Sequence, residues 1–149
     1  MPKVERTFED AGRVGHLLWE TSARSQLLGE AALADTPLTP TTAGVLDVIA
    51  ANPGTSIAAI ARVLPTSQQG ISRTVARLQE LGFLERGLGA RGYGVALHVT
   101  KAGEAARREA GERQVALEQR LREALGDEEH ARLAESLDRL RIVLEKLSA

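Results

Sequence analysis

The chain has 149 residues, of which 43% are hydrophobic and 26% charged; this is enough for one compact domain with a helical extension, but not for two independent catalytic domains. It contains no cysteine, which excludes disulfides, thiolate metal sites, cysteine nucleophiles and cysteine-based redox sensing. No apolar run approaches the roughly 20 residues that cross a bilayer, and residues 1–10 are polar and acidic rather than signal-like, so we expect a cytoplasmic protein with no membrane partner.

The net charge of −1 conceals an uneven distribution of charge along the chain. Residues 56–103 carry six Lys/Arg and two Glu, a net charge of +4, whereas the remainder carries 13 Lys/Arg and 18 Asp/Glu, a net charge of −5. A basic segment between acidic flanks is typical of a phosphate-facing module on a neutral scaffold. A solvated surface with uneven charge is the alternative interpretation.

The N-terminal third of the chain predicts two helices. Apolar residues recur at helical spacing from Phe8 to Ala34, which indicates the first helix. Thr39 can cap a second helix and Pro40 suits its first turn, and this helix must end by the breaker at residues 52–54. We expect its inward-facing residues to be Val45, Leu46, Val48 and Ile49.

Two short helices follow, joined by about three residues, which is the sequence form of a helix-turn-helix. Ser56 caps the first and Pro65 closes it, while Thr66 or Ser67 caps the second. Thr66 and Gln69 have the spacing of a capping box. The residues expected to face inward are Ile57, Ile60, Ala61 and Leu64 of the first helix and Ile71, Val75, Leu78 and Leu81 of the second.

A β-hairpin is predicted next. Residues 82–86 and 95–99 have the pattern of two strands, the second with alternating apolar residues Val95, Leu97 and Val99. The glycine-rich residues 87–94 between them suit a flexible tip.

Two longer helices complete the chain. Thr100 caps the first, which extends to about Leu125, and Asp127 starts the second after a break at Gly126. The last helix carries leucines at alternating spacings of four and three, a narrow seam like that of a coiled coil. We expect this leucine seam to bind a second copy of the chain, with packing against the chain's own first helix as the alternative; its residues are Leu133, Leu137, Leu140, Leu144 and Leu147.

Three motifs occur in a characteristic order. They are Leu38-Thr39 followed by Val45-Leu46, the stretch from Ser67 to Arg86, and Val99-Thr100-Lys101-x-Gly103. Together they resemble the multiple-antibiotic-resistance regulator (MarR) family over nearly the whole chain. The resemblance implies a mainly α fold with a small β-hairpin wing: a winged helix-turn-helix DNA-binding part at residues 36–100, and N- and C-terminal dimerisation helices at residues 1–35 and 101–149.

The function that this resemblance implies is a sequence-specific transcriptional regulator. As in the family, a homodimer would bind double-stranded DNA at a pseudo-palindromic operator, would act as a repressor, and would respond to a small aromatic or phenolic effector. Two modules related by a twofold axis would address half-sites about one helical turn apart, on the order of 10 base pairs.

The second helix of the helix-turn-helix carries the side chains suited to DNA. Glutamine can bond an adenine edge and arginine a guanine edge, so Gln68, Gln69 and Arg73 are the candidates for reading bases, although the glutamines could serve only in helix capping. Residues expected to hold the DNA backbone are Ser67, Ser72, Arg77 and Lys101.

Some of these assignments have structural alternatives. Arg77 could instead form an ion pair with Glu80 or Glu85, and Lys101 could merely be exposed. The wing of the resembling family commonly holds an Asp-x-Arg pair, but this wing has no Asp; Arg91 stands where that arginine would fall and is the candidate for the minor groove.

A ligand site is predicted on the first helix. Arg13, His16 and Trp19 are spaced by three and lie near one helical face. They could hold an aromatic acid, with the arginine on its carboxylate, the tryptophan on its ring and the histidine on a hydroxyl. The alternative is that the tryptophan belongs to the core.

Other functional classes are less well supported by the sequence. His16, His98 and His130 fall on three different elements without an accompanying carboxylate cluster, so we expect no enzyme activity, no metal and no cofactor. The main rival is a winged-helix module that binds protein without specific DNA binding, favoured by the missing wing Asp and the acidic remainder of the chain.

Overall fold

The computed structural model describes residues 12–89 and 95–149. Within these ranges the chain forms six helices and two strands, in the order α1 (Arg13–Ala32), α2 (Pro40–Ala51), α3 (Ile57–Val63), α4 (Gln68–Glu80), β1 (Leu84–Leu88), β2 (Val95–Val99), α5 (Lys101–Leu125) and α6 (Asp127–Ser148). The predicted fold class, mainly α with a small β-hairpin, is confirmed. None of the helices in the described ranges is long and apolar enough to span a membrane.

Local capping signals account for where the helices begin. The Thr39 hydroxyl accepts a hydrogen bond from the Thr42 amide, and the Thr42 hydroxyl accepts one from the Thr39 amide. Pro40 occupies the first turn of α2. Ser56 caps α3 by accepting from the amide of Ala59 at 3.2 Å. These side chains satisfy amides that the first helical turn leaves without partners.

The predicted capping box at the start of α4 is wrong. Ser67 is the N-cap and accepts from the amide of Gly70 at 3.0 Å. A reciprocal box needs a side chain at that third helical position, and glycine has none. A Cβ at residue 70 would lie 2.9 Å from Thr66 Oγ1, so the tight turn also favours glycine there.

The hydrophobic core joins the helix-turn-helix, the hairpin and the first turns of α5. The predicted inward faces are confirmed except at one residue: Ile60, Ile71, Val75 and Leu78 are buried together with four residues of α2, and Val48, Ile57, Ala61 and Leu64 pack against them. Leu81, which was predicted to face inward, is only half-buried at the C-cap of α4 and is not part of this core. Ala110 of α5 belongs to the same core. This core fixes one face of α4 and leaves the opposite face to solvent.

The hairpin departs from the predicted alternation. β1 pairs antiparallel with β2, with Leu84 opposite Val99 and Leu88 opposite Val95. Val95 lies at the open end and is 49% exposed, whereas Ala96 is buried. The loop before α3 covers β2 through hydrogen bonds between Leu97 and residues 54 and 55, so the base of the strand is enclosed more than a free two-stranded ribbon would be.

The start of α5 is fastened to the turn that follows α4. Thr100 caps α5 by accepting from the amide of Gly103 at 3.1 Å, and its hydroxyl donates to the carbonyl of Gly82 at 2.6 Å. Gly82 has a φ of +75°, which favours glycine. Gly103 is buried against the carbonyl of Phe83 so closely that an added Cβ would lie 2.2 Å from that oxygen.

An ion pair links α5 to α2. Arg107 contacts Asp47 at 3.4 Å and Glu104 at 3.1 Å. The hydrogen bonds to Glu104 and then to Asp47 raise the pKa of Arg107 above its usual value. Since all three side chains are substantially exposed, the link contributes less than about 1 kcal/mol.

The chain divides into two compact units, Met1–Ala110 and Gly111–Ala149, with the boundary inside α5. In the second unit, the predicted break at Gly126 is confirmed, with a φ of +83°. His130 contacts Glu118 at 2.5 Å, and Arg122 contacts Asp127 at 2.6 Å, which holds the two helices together at this turn. No residue of α6 is buried within the single chain.

Candidate nucleic-acid interface

Helix α4 presents a polar face to solvent at its N-terminal end. Gln68, Gln69 and Arg73 are exposed there, while Ile71 and Val75 anchor the helix in the core. This arrangement brings the three predicted base-reading residues onto consecutive turns of one rigid helix. A helix anchored in this way can enter a major groove with its first turns leading.

The predicted backbone-contact residues of α4 have partners within the chain. Ser67 serves as the N-cap, and the Ser72 hydroxyl donates to the carbonyl of Gln68 at 2.9 Å, which leaves its lone pairs to accept. Arg77 lies 3.5 Å from Glu80, so the ion pair given as its alternative is present. Both side chains of that pair are more than half exposed, and such a pair exchanges readily for a phosphate.

Two other predicted contacts lie outside α4. Lys101 is exposed at the first position of α5. Arg91 falls outside the described residues, and its role in the wing stays a prediction.

A further basic residue escaped the sequence prediction. Arg86 of β1 is exposed, and its Nε donates to Gln79 Oε1 of α4 at 2.9 Å. This bond ties the first strand of the hairpin to the last turn of the helix. The available signal was its place in the basic segment, but its partner seven residues earlier on another element was not visible.

A shallow cavity of about 240 Å³ lies beside this arginine. Its lining combines the first residues of α3 with both strands: Ser56, Ile57, Ala58, Arg86, Val95 and Leu97. Arg86 is the single charged residue among them, so the cavity is a mainly apolar recess with one cationic wall.

The predicted ligand residues lie on α1, on a different element from the polar face of α4. The rings of His16 and Trp19 are 5.6 Å apart and tilted by 51°, and His16 Nε2 lies 3.6 Å from Glu20 Oε2. Trp19 is 69% exposed, so within the described chain it is not a core residue. Arg13, at the first turn of the helix, is exposed as well.

The described residues contain no group of three or more acidic or histidine side chains placed to hold a metal ion. The three histidines lie on α1, β2 and α6. Polar side chains of a helix and a hairpin, rather than a cluster of titratable groups, thus make up the candidate site.

Comparison with known proteins links this geometry to one group. A model of the MarR family matches residues 36–91, from the residues before α2 into the segment between the strands. No curated protein matches the sequence.

Three solved structures are similar over nearly their whole length. The transcriptional repressor CouR bound to a 23-mer DNA duplex is 25% identical, with 93% of this chain and 99% of that chain covered and a TM-score of 0.83. FabT of Streptococcus pneumoniae in complex with DNA is 21% identical (93% and 99% covered, TM-score 0.76). The PcaV regulator of Streptomyces coelicolor with its natural ligand is 22% identical (92% and 97% covered, TM-score 0.78).

Proposed function

Because this chain belongs to the MarR family of winged helix-turn-helix regulators, we propose that it is a DNA-binding transcriptional regulator that acts as a homodimeric repressor. CouR and FabT are described in complex with DNA, which supports the same partner for this chain. We propose that the DNA-binding part spans residues 36–100 and the dimerisation part residues 1–35 and 101–149.

One observation carries the proposal: α4 exposes a polar N-terminal face while its other face is fixed in the core. Gln68, Gln69 and Arg73 can donate and accept at base edges in a major groove, and Ser67, Ser72, Arg77 and Lys101 can meet phosphates. Arg91 would enter the minor groove. Because residues 56–103 carry a net charge of +4, the DNA-facing segment attracts the duplex even though the whole chain does not.

A homodimer follows from the exposed leucines of α6. Leu133, Leu137 and Leu144 are each 40–49% exposed, and Leu147 is 78% exposed. Apolar side chains in such numbers on one terminal helix are typical of a surface that a second copy covers. A twofold dimer would bind a pseudo-palindrome with half-sites about 10 base pairs apart.

The proposed effector site is the group Arg13, His16 and Trp19 on α1. PcaV is described with a natural ligand, which supports ligand control in this fold. A small aromatic or phenolic acid bound there would regulate DNA binding only if it preferred one arrangement of the recognition helices. Trp19→Ala should abolish any effect of such a compound on DNA affinity while leaving affinity without it unchanged; a retained response would exclude this residue.

The rival hypothesis, a protein-binding winged helix without specific DNA binding, gains no support from the similar structures. We further propose that the chain catalyses no reaction and acts in the cytoplasm, where a regulator reaches its operator.

Selection of bound duplexes from a random pool tests the proposal. We expect an inverted repeat, because a symmetric dimer presents two identical α4 helices. Binding to the selected duplex should also weaken steeply as salt rises, through release of counterions from the phosphates. Recovery of unrelated sequences, or no retention of any duplex at low ionic strength, would contradict it.

A further inference from the structure

Arg86 is held in place by an uncharged partner. Its Nε donates to the amide oxygen of Gln79 at 2.9 Å, and no carboxylate pairs with it among residues 12–89 and 95–149. Arg77, by comparison, shares its charge with Glu80. The bond to an amide fixes the direction of the Arg86 guanidinium while leaving its full positive charge and its terminal nitrogens available.

The position of Gln79 places this arginine on the side of α4 that carries Gln68, about 120° around the helix axis from Arg73. Gln79 follows Gln68 by eleven residues, which is three helical turns, so the two side chains lie within about 20° of each other around the axis of α4. They are separated by about 16 Å along that axis. Since a major groove is about 12 Å wide, a helix that inserts its first turns brings its last turn to the phosphate backbone at the groove edge.

The recess beside Arg86 has the chemistry of a sugar–phosphate backbone. Ile57, Val95 and Leu97 give it apolar walls, and Arg86 gives it one cation. A deoxyribose can pack on apolar side chains while its phosphate accepts hydrogen bonds from a guanidinium. The volume of about 240 Å³ suits such a small group, and the recess is joined to α4 through Gln79.

We propose that the recess between the start of α3 and the hairpin receives the backbone of duplex DNA, with Arg86 as the phosphate contact and Gln79 as its positioning residue. This inference rests on the proposed function. It adds to the interface a contact that carries no sequence information, because every nucleotide presents the same phosphate.

Titration of the intact protein with a selected duplex and an unrelated duplex of equal length, over a salt series, tests the proposal. Arg86→Gln should reduce the slope of log affinity against log salt by about one per subunit. It should weaken binding to both duplexes by the same factor. Arg86→Lys, which keeps the charge, should retain most of the slope.

Two matched controls account for the change in total charge. Arg139→Gln removes the same charge from α6, off the leucine seam, and should leave the slope unchanged. Gln79→Glu places a carboxylate against Arg86 and should reduce the slope although the arginine remains. Gln114→Glu on α5 adds the same charge away from Arg86 and should leave the slope unchanged. If Arg86→Gln lowers the thermal midpoint, Gln79→Glu supplies the test on a chain that keeps Arg86.

The outcomes separate the two proposals. Equal slopes for Arg86→Gln and Arg139→Gln would overturn the phosphate contact, and so would a loss confined to the selected duplex. A wild-type protein that binds neither duplex would instead contradict the proposed function.

Discussion

Gly103 is the position where the structure predicts the largest effect of adding one methyl group. The Cβ of an alanine there would lie 2.2 Å from the carbonyl oxygen of Phe83 and 2.8 Å from a methyl of Val99. The carbonyl cannot simply withdraw, because it accepts the amide hydrogen of Thr100 at 3.0 Å. Gly103→Ala must therefore push the first turn of α5 away from Phe83 and Val99.

The magnitude follows from two opposing effects. The methyl has to move by about 1 Å to reach an ordinary contact distance, and overpacking of this kind costs about 3 kcal/mol, the upper end of its usual range, when the neighbour is backbone. Alanine is preferred over glycine in a helix by about 1 kcal/mol. The net expectation is a loss of about 2 kcal/mol in the free energy of unfolding.

Urea denaturation followed by circular dichroism, at one fixed protein concentration because dimerisation adds to stability, measures this loss. The denaturation midpoint should fall by about 1 M. Gly111→Ala is the matched control: it lies in the same helix with no atom within 4 Å of the added Cβ, and should stabilise the protein by about 0.5–1 kcal/mol. If both variants gained stability equally, the close packing of α5 on Phe83 would be refuted.

Three further predictions concern other parts of the chain. Thr100→Val should lower the free energy of unfolding by about 1–2 kcal/mol in the same urea assay, because it removes the hydroxyl that bonds Gly82 and Gly103. Thr21→Val, at an exposed helix position, should change the free energy of unfolding little. Equal losses for the two variants would contradict a special role for the Thr100 cap. Leu137→Glu should convert the dimer to a monomer in analytical ultracentrifugation while the chain stays folded, since this leucine is 49% exposed within one chain; an unchanged dimer would exclude the seam. Arg73→Ala should weaken binding to the selected duplex by about 1–3 kcal/mol and relax base preference at one position, and unchanged binding would remove it from the base-reading set.

The elements that the sequence predicted best are those defined by neighbouring residues. Thr39 and Pro40, Ser56, and Gly126 with Asp127 each bring a cap or a break together with the helix that it delimits, so local rules were sufficient. Thr66 and Ser67 place two hydroxyls side by side before α4, and the capping rule does not indicate which of them is the N-cap.

The contacts that escaped prediction join residues far apart in sequence. The Thr100 hydroxyl reaches Gly82 across 18 residues, and Arg107 reaches Asp47 across 60. The hydrogen bond from Arg86 to Gln79 forms because the chain turns back after α4. Periodicity and capping describe single elements, so they cannot indicate which polar side chains the tertiary fold brings together.

The burial of Ala110 has a practical consequence for dissecting the molecule. Because this residue of α5 belongs to the hydrophobic core, a fragment cut after the last strand would expose apolar surface and would also lose the Thr100 cap and the close packing of Gly103 on Phe83. Recombinant production of the proposed DNA-binding part alone should therefore extend through Ala110, eleven residues past Val99 at the end of the hairpin. The proposed DNA-binding part and the part of the chain that can fold on its own therefore have different ends.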